Sequence, residues 1–326
     1  MEHLYPFIFE PIIKEKLWGG KNLNEILNKP RMSDYDGESW EISCVPGNIS
    51  VVRNGPFAGK SLTELIEQFR GDLVGEAVYE EHGAKFPLLL KYIDAQQDLS
   101  IQVHPDDELA IDRHNSFGKT EMWYVIDAEP DASIIIGFSE PLNVSRYLDY
   151  VENKKLMSVL NRERVQVHDV FLVPAGRVHN IGKGLVIAEI QQTSDVTYRI
   201  HDFDRIDTKG NTRDLHNDLA VEAIDFNIPD SYKTTYEPSS SEQVIGTSDY
   251  FITKRRLISK STTLNFNHSS CTVLMCIEGS FDVPNYSELP SISKGDTVLV
   301  PSCIEELILK PQSSGILLEI HIPELG

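Results

Sequence analysis

Short runs rich in Val, Ile, Leu, Tyr and Phe recur along the chain, separated by clusters of Gly, Pro and Asp. They predict β-strands over Trp40–Val45, Pro87–Ile93, Leu99–His104, Glu121–Ile126, Ser133–Phe138, Val170–Val173 and Leu185–Gln192. Apolar residues three and four apart predict helices over Asn22–Leu27, Ser61–Glu81, Pro141–Leu160 and Asp214–Ile224, the second opened by Ser61 and Glu64 as a capping box. Ser231–Ser241 is polar, Ser-rich and without period, so it reads as a linker. It divides the chain into residues 1–230, with helical additions at 61–82 and 141–160, and residues 242–326.

The segments on either side of that linker share a pattern. His168–Gly182 (HDVFLVPAGRVHNIG) and Lys294–Leu309 (KGDTVLVPSCIEELIL) each run through a turn, an apolar strand, a proline and another turn, which suggests two related small β-barrels. Where the first copy has Gly176 and His179, the second has Cys303 and Glu306. A metal held by the first therefore has no counterpart in the second.

Composition narrows the class. A length of 326 residues suits one large or two ordinary domains, and 40% hydrophobic with 25% charged residues is ordinary for a globular protein. Fifty acidic against 30 basic side chains leave a net charge of −20, which opposes nucleic acid or an anionic membrane as partner. No run of apolar residues is long enough to span a bilayer, and the N-terminus shows no signal-peptide pattern, so a cytoplasmic protein is expected. Cys44, Cys271, Cys276 and Cys303 form no CxxC pair and read as free thiols.

Three segments carry candidate chemistry: IQVHP (Ile101–Pro105), GKTEMWY (Gly118–Tyr124) and PAGRVHN (Pro174–Asn180). Alternation along a strand places Gln102 with His104 on one face, and Lys119, Glu121 and Trp123 on another. His104, Glu121 and His179 supply two imidazoles and a carboxylate, the donor set of a catalytic zinc or another borderline divalent ion, and Gln102 adds a neutral oxygen. A lone histidine near a strand end is more often a hydrogen-bonded structural residue. Here the QxH and PxGxxH arrangements with a strand glutamate between them match the cupin pattern.

The blocks KLWGG (Lys16–Gly20), GESWEIS (Gly37–Ser43), PLLLKYIDA (Pro87–Ala95), SIQVHPDD (Ser100–Asp107), GKTEMWYVI (Gly118–Ile126), VPAGRVHNIG (Val173–Gly182) and EIQQTSDVTYRIHDFDR (Glu189–Arg205) together resemble type I phosphomannose isomerase, in its compact bacterial branch. That resemblance implies a mainly β fold of two cupin-type jelly-roll barrels with a small helical region. It also implies a zinc-dependent interconversion of mannose 6-phosphate and fructose 6-phosphate through a cis-enediolate, with one Zn2+ per chain. The family's ligand positions fall on Gln102, His104, Glu121 and His179, its catalytic arginine on Arg199 and its active-site lysine on Lys119. Glu189 is the family-supported base, in competition with water on the metal or with a structural role paired to Arg199. Lys91 and Trp18 are expected to line the substrate pocket, although Lys91 also suits a strand edge. Lys119 suits either the phosphate or proton relay, and Arg199 either the enediolate oxygens or the hold on the sugar.

Two other functions share parts of this pattern. Two histidines and a carboxylate also describe a non-haem-iron dioxygenase, although that chemistry has no use for Lys119 and Arg199 beside the metal. A non-catalytic sugar-binding cupin would have no need of a complete ligand set. The expected partner is a small phosphosugar, and the chain is compatible with a monomer or a homodimer.

Overall fold

At the centre lies a six-stranded antiparallel sheet in the order Val170–Val173, Glu121–Ala128, Leu185–Gln192, Leu88–Ala95, Asp36–Ile42, Ile12–Gly20. The computed structural model describes residues 3–206, 210–266 and 269–324. Strands Leu88–Ala95 and Leu185–Gln192 are buried along their whole length, because the sheet is covered on both faces. Strand alternation sorts their residues. Leu90, Tyr92, Met122, Tyr124, Ala188 and Ile190 pack on one side against Val273, Met275, Leu318 and Ile320 of the C-terminal part. Ile93, Trp123, Val125 and Ile187 turn to the other side, toward Ile134, Ile136 and Ile181.

Those last three residues belong to or adjoin a second sheet of five strands, Leu160–Arg164, Ser133–Phe138, His179–Asn180, Ile101–Val103 and Tyr198–His201. The C-terminal part repeats the plan. A six-stranded sheet (Phe7–Ile8, Thr297–Val300, Thr272–Glu278, Gly315–His321, Ile252–Ile258, Glu242–Thr247) stacks on four short strands, with Leu274, Cys276 and Leu317 meeting Phe281, Leu307 and Leu309 between them. Four layers result, with the two six-stranded sheets back to back.

The fold is mainly β with few helices, as expected. The sheets stay open rather than closing into barrels, each keeping two edge strands among the described residues. The chain passes from one sheet to the other by a turn. At Pro174–Gly176 it turns from Val170–Val173 toward His179–Asn180, with a proline that has no N–H to donate and a glycine at φ 85°.

The helices are shorter than their apolar spacing predicts. Ser61–Glu81 divides into Leu62–Phe69, Gly71–Val74 and Glu76–His82, because Arg70 (φ 48°) and Gly75 (φ 99°) leave the helical region. The Ser61–Glu64 capping box is formed. In the 141–160 region only Val144–Glu152 is α-helical. Lys154 turns at φ 55°, Leu156–Ser158 is a single 3-10 turn, and Leu160 begins a strand. The fourth helix is Asn217–Ala223.

The polar segment 231–241 is tied down along the first part. Tyr232 Oη bonds to the backbone of Phe138, Lys233 Nζ lies 2.6 Å from Asp169, and Tyr236 Oη donates to the His168 carbonyl at 2.6 Å. No helix among the described residues is long and apolar enough to cross a membrane.

Candidate active site and metal centre

Two rows of side chains face each other between the central sheet and the five-stranded sheet. In the five-stranded sheet, register sets His179 opposite Gln102 and Gln102 opposite Arg199. In the central sheet, Trp123 is opposite Glu189, Glu189 opposite Lys91, and Lys91 opposite Trp40. Residues directly opposite on neighbouring strands share a face, so each row is a continuous polar stripe.

At one end of these rows His104, Glu121 and His179 converge, all three buried, with their ligand atoms within 4.8 Å of one another. His104 Nδ1 lies 2.9 Å from the Val196 carbonyl and His179 Nδ1 2.8 Å from that of Arg177. A carbonyl only accepts, so each Nδ1 carries the proton and each Nε2 presents a lone pair. His104 Nε2 stands 3.2 Å from Glu121 Oε1, and His179 Nε2 3.8 Å from Glu121 Oε2. Burial, with the Lys119 ammonium, pushes the His104 imidazole down to about 3, and burial lowers His179 as well, so both rings are neutral near pH 7.

His104 Nε2 and Glu121 Oε1 are buried without a properly angled hydrogen-bond partner. Such atoms are costly unless something pairs with them, and two neutral imidazoles beside a carboxylate suit a divalent cation. Gln102 donates from Nε2 to His179 Nε2 at 3.3 Å, with its oxygen turned to Ser100. Rotating the amide exchanges its two atoms and brings the oxygen to the ligand side.

A pocket of about 320 Å³ opens beside this group, lined by Trp18, Lys91, Gln102, Lys119, Glu189 and Arg199 among others. All six are expected from the sequence, and the structure brings them together. Lys119 Nζ lies 3.0 Å from Glu121 Oε1 and links the pocket to the ligand group. Trp123 Nε1 donates to both Glu121 Oε2 (3.1 Å) and Glu189 Oε2 (3.0 Å), joining the two carboxylates.

Glu189 does not pair with Arg199; its partner is Lys91, at 2.9 Å. Nor is Lys91 at a strand edge, since it sits mid-strand in an internal strand with its ammonium also 2.6 Å from Gln191 Oε1. Burial and the Glu121 charge raise the Glu189 carboxyl, while Lys91 and Lys119 oppose them. Arg199 donates from Nη1 to the Asp214 carbonyl at 2.9 Å and leaves Nε buried without a partner.

Further members went unread in the sequence. Lys16, Glu38, Asp195 and Arg213 also line the pocket. Glu38 accepts from Trp40 Nε1 at 2.7 Å and pairs with Lys16 at 3.0 Å. The signal was present in GESWEIS and KLWGG, where Glu38 and Trp40 alternate on one face as Lys16 and Trp18 do.

Comparison with known proteins bears on what such a site does. Residues 7–137 match the family model described as phosphomannose isomerase type I, catalytic domain. The mannose-6-phosphate isomerase ManA of Bacillus subtilis is 36% identical over 94% of this chain and 96% of its own length. The chain belongs to the type I phosphomannose isomerase family. A mannose-6-phosphate isomerase of Streptococcus mutans is 32% identical over 92% of this chain and 93% of its own. The crystal structure of mannose 6-phosphate isomerase from Bacillus subtilis superposes with a TM-score of 0.87 at 32% identity, covering 98% of this chain and all of that one. Type I phosphomannose isomerases are metal-dependent enzymes that interconvert mannose 6-phosphate and fructose 6-phosphate, and His104, Glu121 and His179 form a group able to hold a metal.

Proposed function

We propose that this chain interconverts mannose 6-phosphate and fructose 6-phosphate with one zinc ion held by His104, Glu121, His179 and Gln102. The observation that carries this reading is the buried convergence of His104, Glu121 and His179, with ligand atoms within 4.8 Å of one another, beside a pocket that presents Lys119, Lys91 and Arg199. A divalent ion held by these ligand residues would supply Lewis-acid polarisation of the sugar's reacting oxygens.

The chain's own residues supply the remainder. Glu189 takes the proton from C2 and the bond electrons pass into the enediolate; the hydroxyl proton passes from O2 to O1, and the same carboxyl returns the carbon proton to C1, leaving an alcohol at C1 and a ketone at C2. Its raised affinity for protons suits a group that must first accept and then donate. Lys91 holds Glu189 in place. Lys119 puts a positive charge at the edge of the ligand group, where the oxygens become negative. Arg199 has an unpaired buried Nε, and it steadies the same oxygens, with Arg213 beside it for the phosphate. Trp18 walls the pocket. Residues 242–326, whose sheet also takes in strand Phe7–Ile8, form a second unit with no metal-ligand group among the described residues, joined to residues 1–230 by the segment 231–241.

A coupled assay for fructose 6-phosphate formed from mannose 6-phosphate tests the reading. Turnover is expected with zinc, is lost on chelation and returns when zinc is restored. His104→Ala abolishes both metal content and turnover. Absence of turnover by zinc-loaded protein, or bound iron with substrate-dependent oxygen uptake, overturns it.

A further inference from the structure

Lys119 lies on a three-residue approach to strand Glu121–Ala128, and each backbone N–H of that approach has its own acceptor. Gly118 N donates to Asp107 Oδ1 at 2.7 Å, Lys119 N to the Pro105 carbonyl at 3.2 Å, and Thr120 N to Gln192 Oε1 at 2.9 Å. Gln192 in turn donates from Nε2 to the same Asp107 Oδ1 at 2.9 Å. The packing is close enough that a Cβ on Gly118 would fall 2.6 Å from the Asp107 nitrogen.

Asp107 thus gathers the approach from two directions, and its second oxygen faces the C-terminal part. Tyr250 Oη donates to Asp107 Oδ2 at 2.6 Å across 143 residues of chain. A carboxylate that accepts from Tyr250 on one oxygen and from Gly118 and Gln192 on the other is fixed in rotation as well as in place. We propose that Tyr250 is a positioning residue for Lys119, acting through Asp107, so that the C-terminal part, which has no metal-ligand group among its described residues, contributes to the reaction. This rests on the isomerase reading with Lys119 at the reacting oxygens.

Tyr250→Phe removes one hydroxyl and keeps the ring. It is expected to lower kcat/KM about tenfold with zinc content unchanged, because a small misplacement of a charged group at a reacting centre is expensive. In a Lys119→Gln background the same change is expected to have no further effect. Tyr236→Phe deletes another partly buried tyrosine hydroxyl, the one by which segment 231–241 donates to the His168 carbonyl of the first part. It is expected to reduce thermal stability while leaving kcat/KM at the wild-type value.

The inference is overturned if Tyr250→Phe turns over like the wild type, if it loses zinc, if it costs the same factor with and without Lys119, or if Tyr236→Phe costs as much activity. Turnover of the wild-type enzyme is measured alongside, so failure of the isomerase reading is visible separately.

Discussion

Glu38 shows how far neighbouring charges outweigh burial in this pocket. Burial pushes its carboxyl up, but Lys16, Lys91 and the Trp40 indole together hold it down at about 2, from an ordinary 4.5. A carboxyl depressed in the folded state adds stability above its unfolded value and loses it as pH falls through the folded one. Glu38 therefore contributes about 3 kcal/mol at neutral pH. The contribution fades between pH 4.5 and about 2. Denaturant unfolding of wild type and Glu38→Gln is expected to show the widest gap at neutral pH and a closing gap through that window; a gap independent of pH would contradict it. The same reasoning explains why the pocket's lysines are held by partners. A buried pair that loses one member leaves an uncompensated charge, so Lys91 and Glu189 stabilise the fold only together.

Among the elements, strands were legible where apolar residues formed unbroken runs. Ser133–Phe138, Val170–Val173 and Leu185–Gln192 have the observed boundaries. Helix Asp107–His114 was not legible. Its apolar residues Leu109, Ala110 and Ile111 are consecutive rather than spaced along a face, and its start is marked by the Asp106 cap, whose side chain accepts from Leu109 N. The division of Ser61–Glu81 was hidden for another reason. Gly75 must let the backbone pass at φ 99° against Ser269, whose carbonyl oxygen would lie 2.0 Å from an added Cβ. Gly75→Ala is expected to destabilise the protein by about 2 kcal/mol, measured by chemical unfolding, and a neutral result would remove the steric account. The site divides along the same line. Gln102, His104, Lys119 and Glu121 were legible because they sit in, or within two residues of, short strands, where spacing is local. Partners such as Lys91 with Glu189, 98 residues apart, depend on register between strands, which spacing alone does not show.

For the whole molecule, the net charge of −20 and the pocket point in opposite directions. A phosphorylated sugar is repelled at long range by the anionic surface and attracted only near Lys119, Lys91 and Arg199. Added salt screens the distant repulsion more than contacts inside the pocket. From about 0.05 to 0.5 M salt, kcat/KM is expected to hold or rise slightly, and a steep fall would show that attraction governs capture. The back-to-back sheets also bear on how the chain is made. Phe7–Ile8 pairs with Thr297–Val300, and the rear of the central sheet is covered by residues such as Val273 and Leu318. A growing chain on the ribosome therefore carries His104, Glu121, His179, Lys91 and Lys119 long before it carries their cover. A premature stop codon shortly after residue 241 would release a polypeptide with every one of these pocket residues and a bare apolar face, prone to aggregation and quality control rather than a smaller working enzyme.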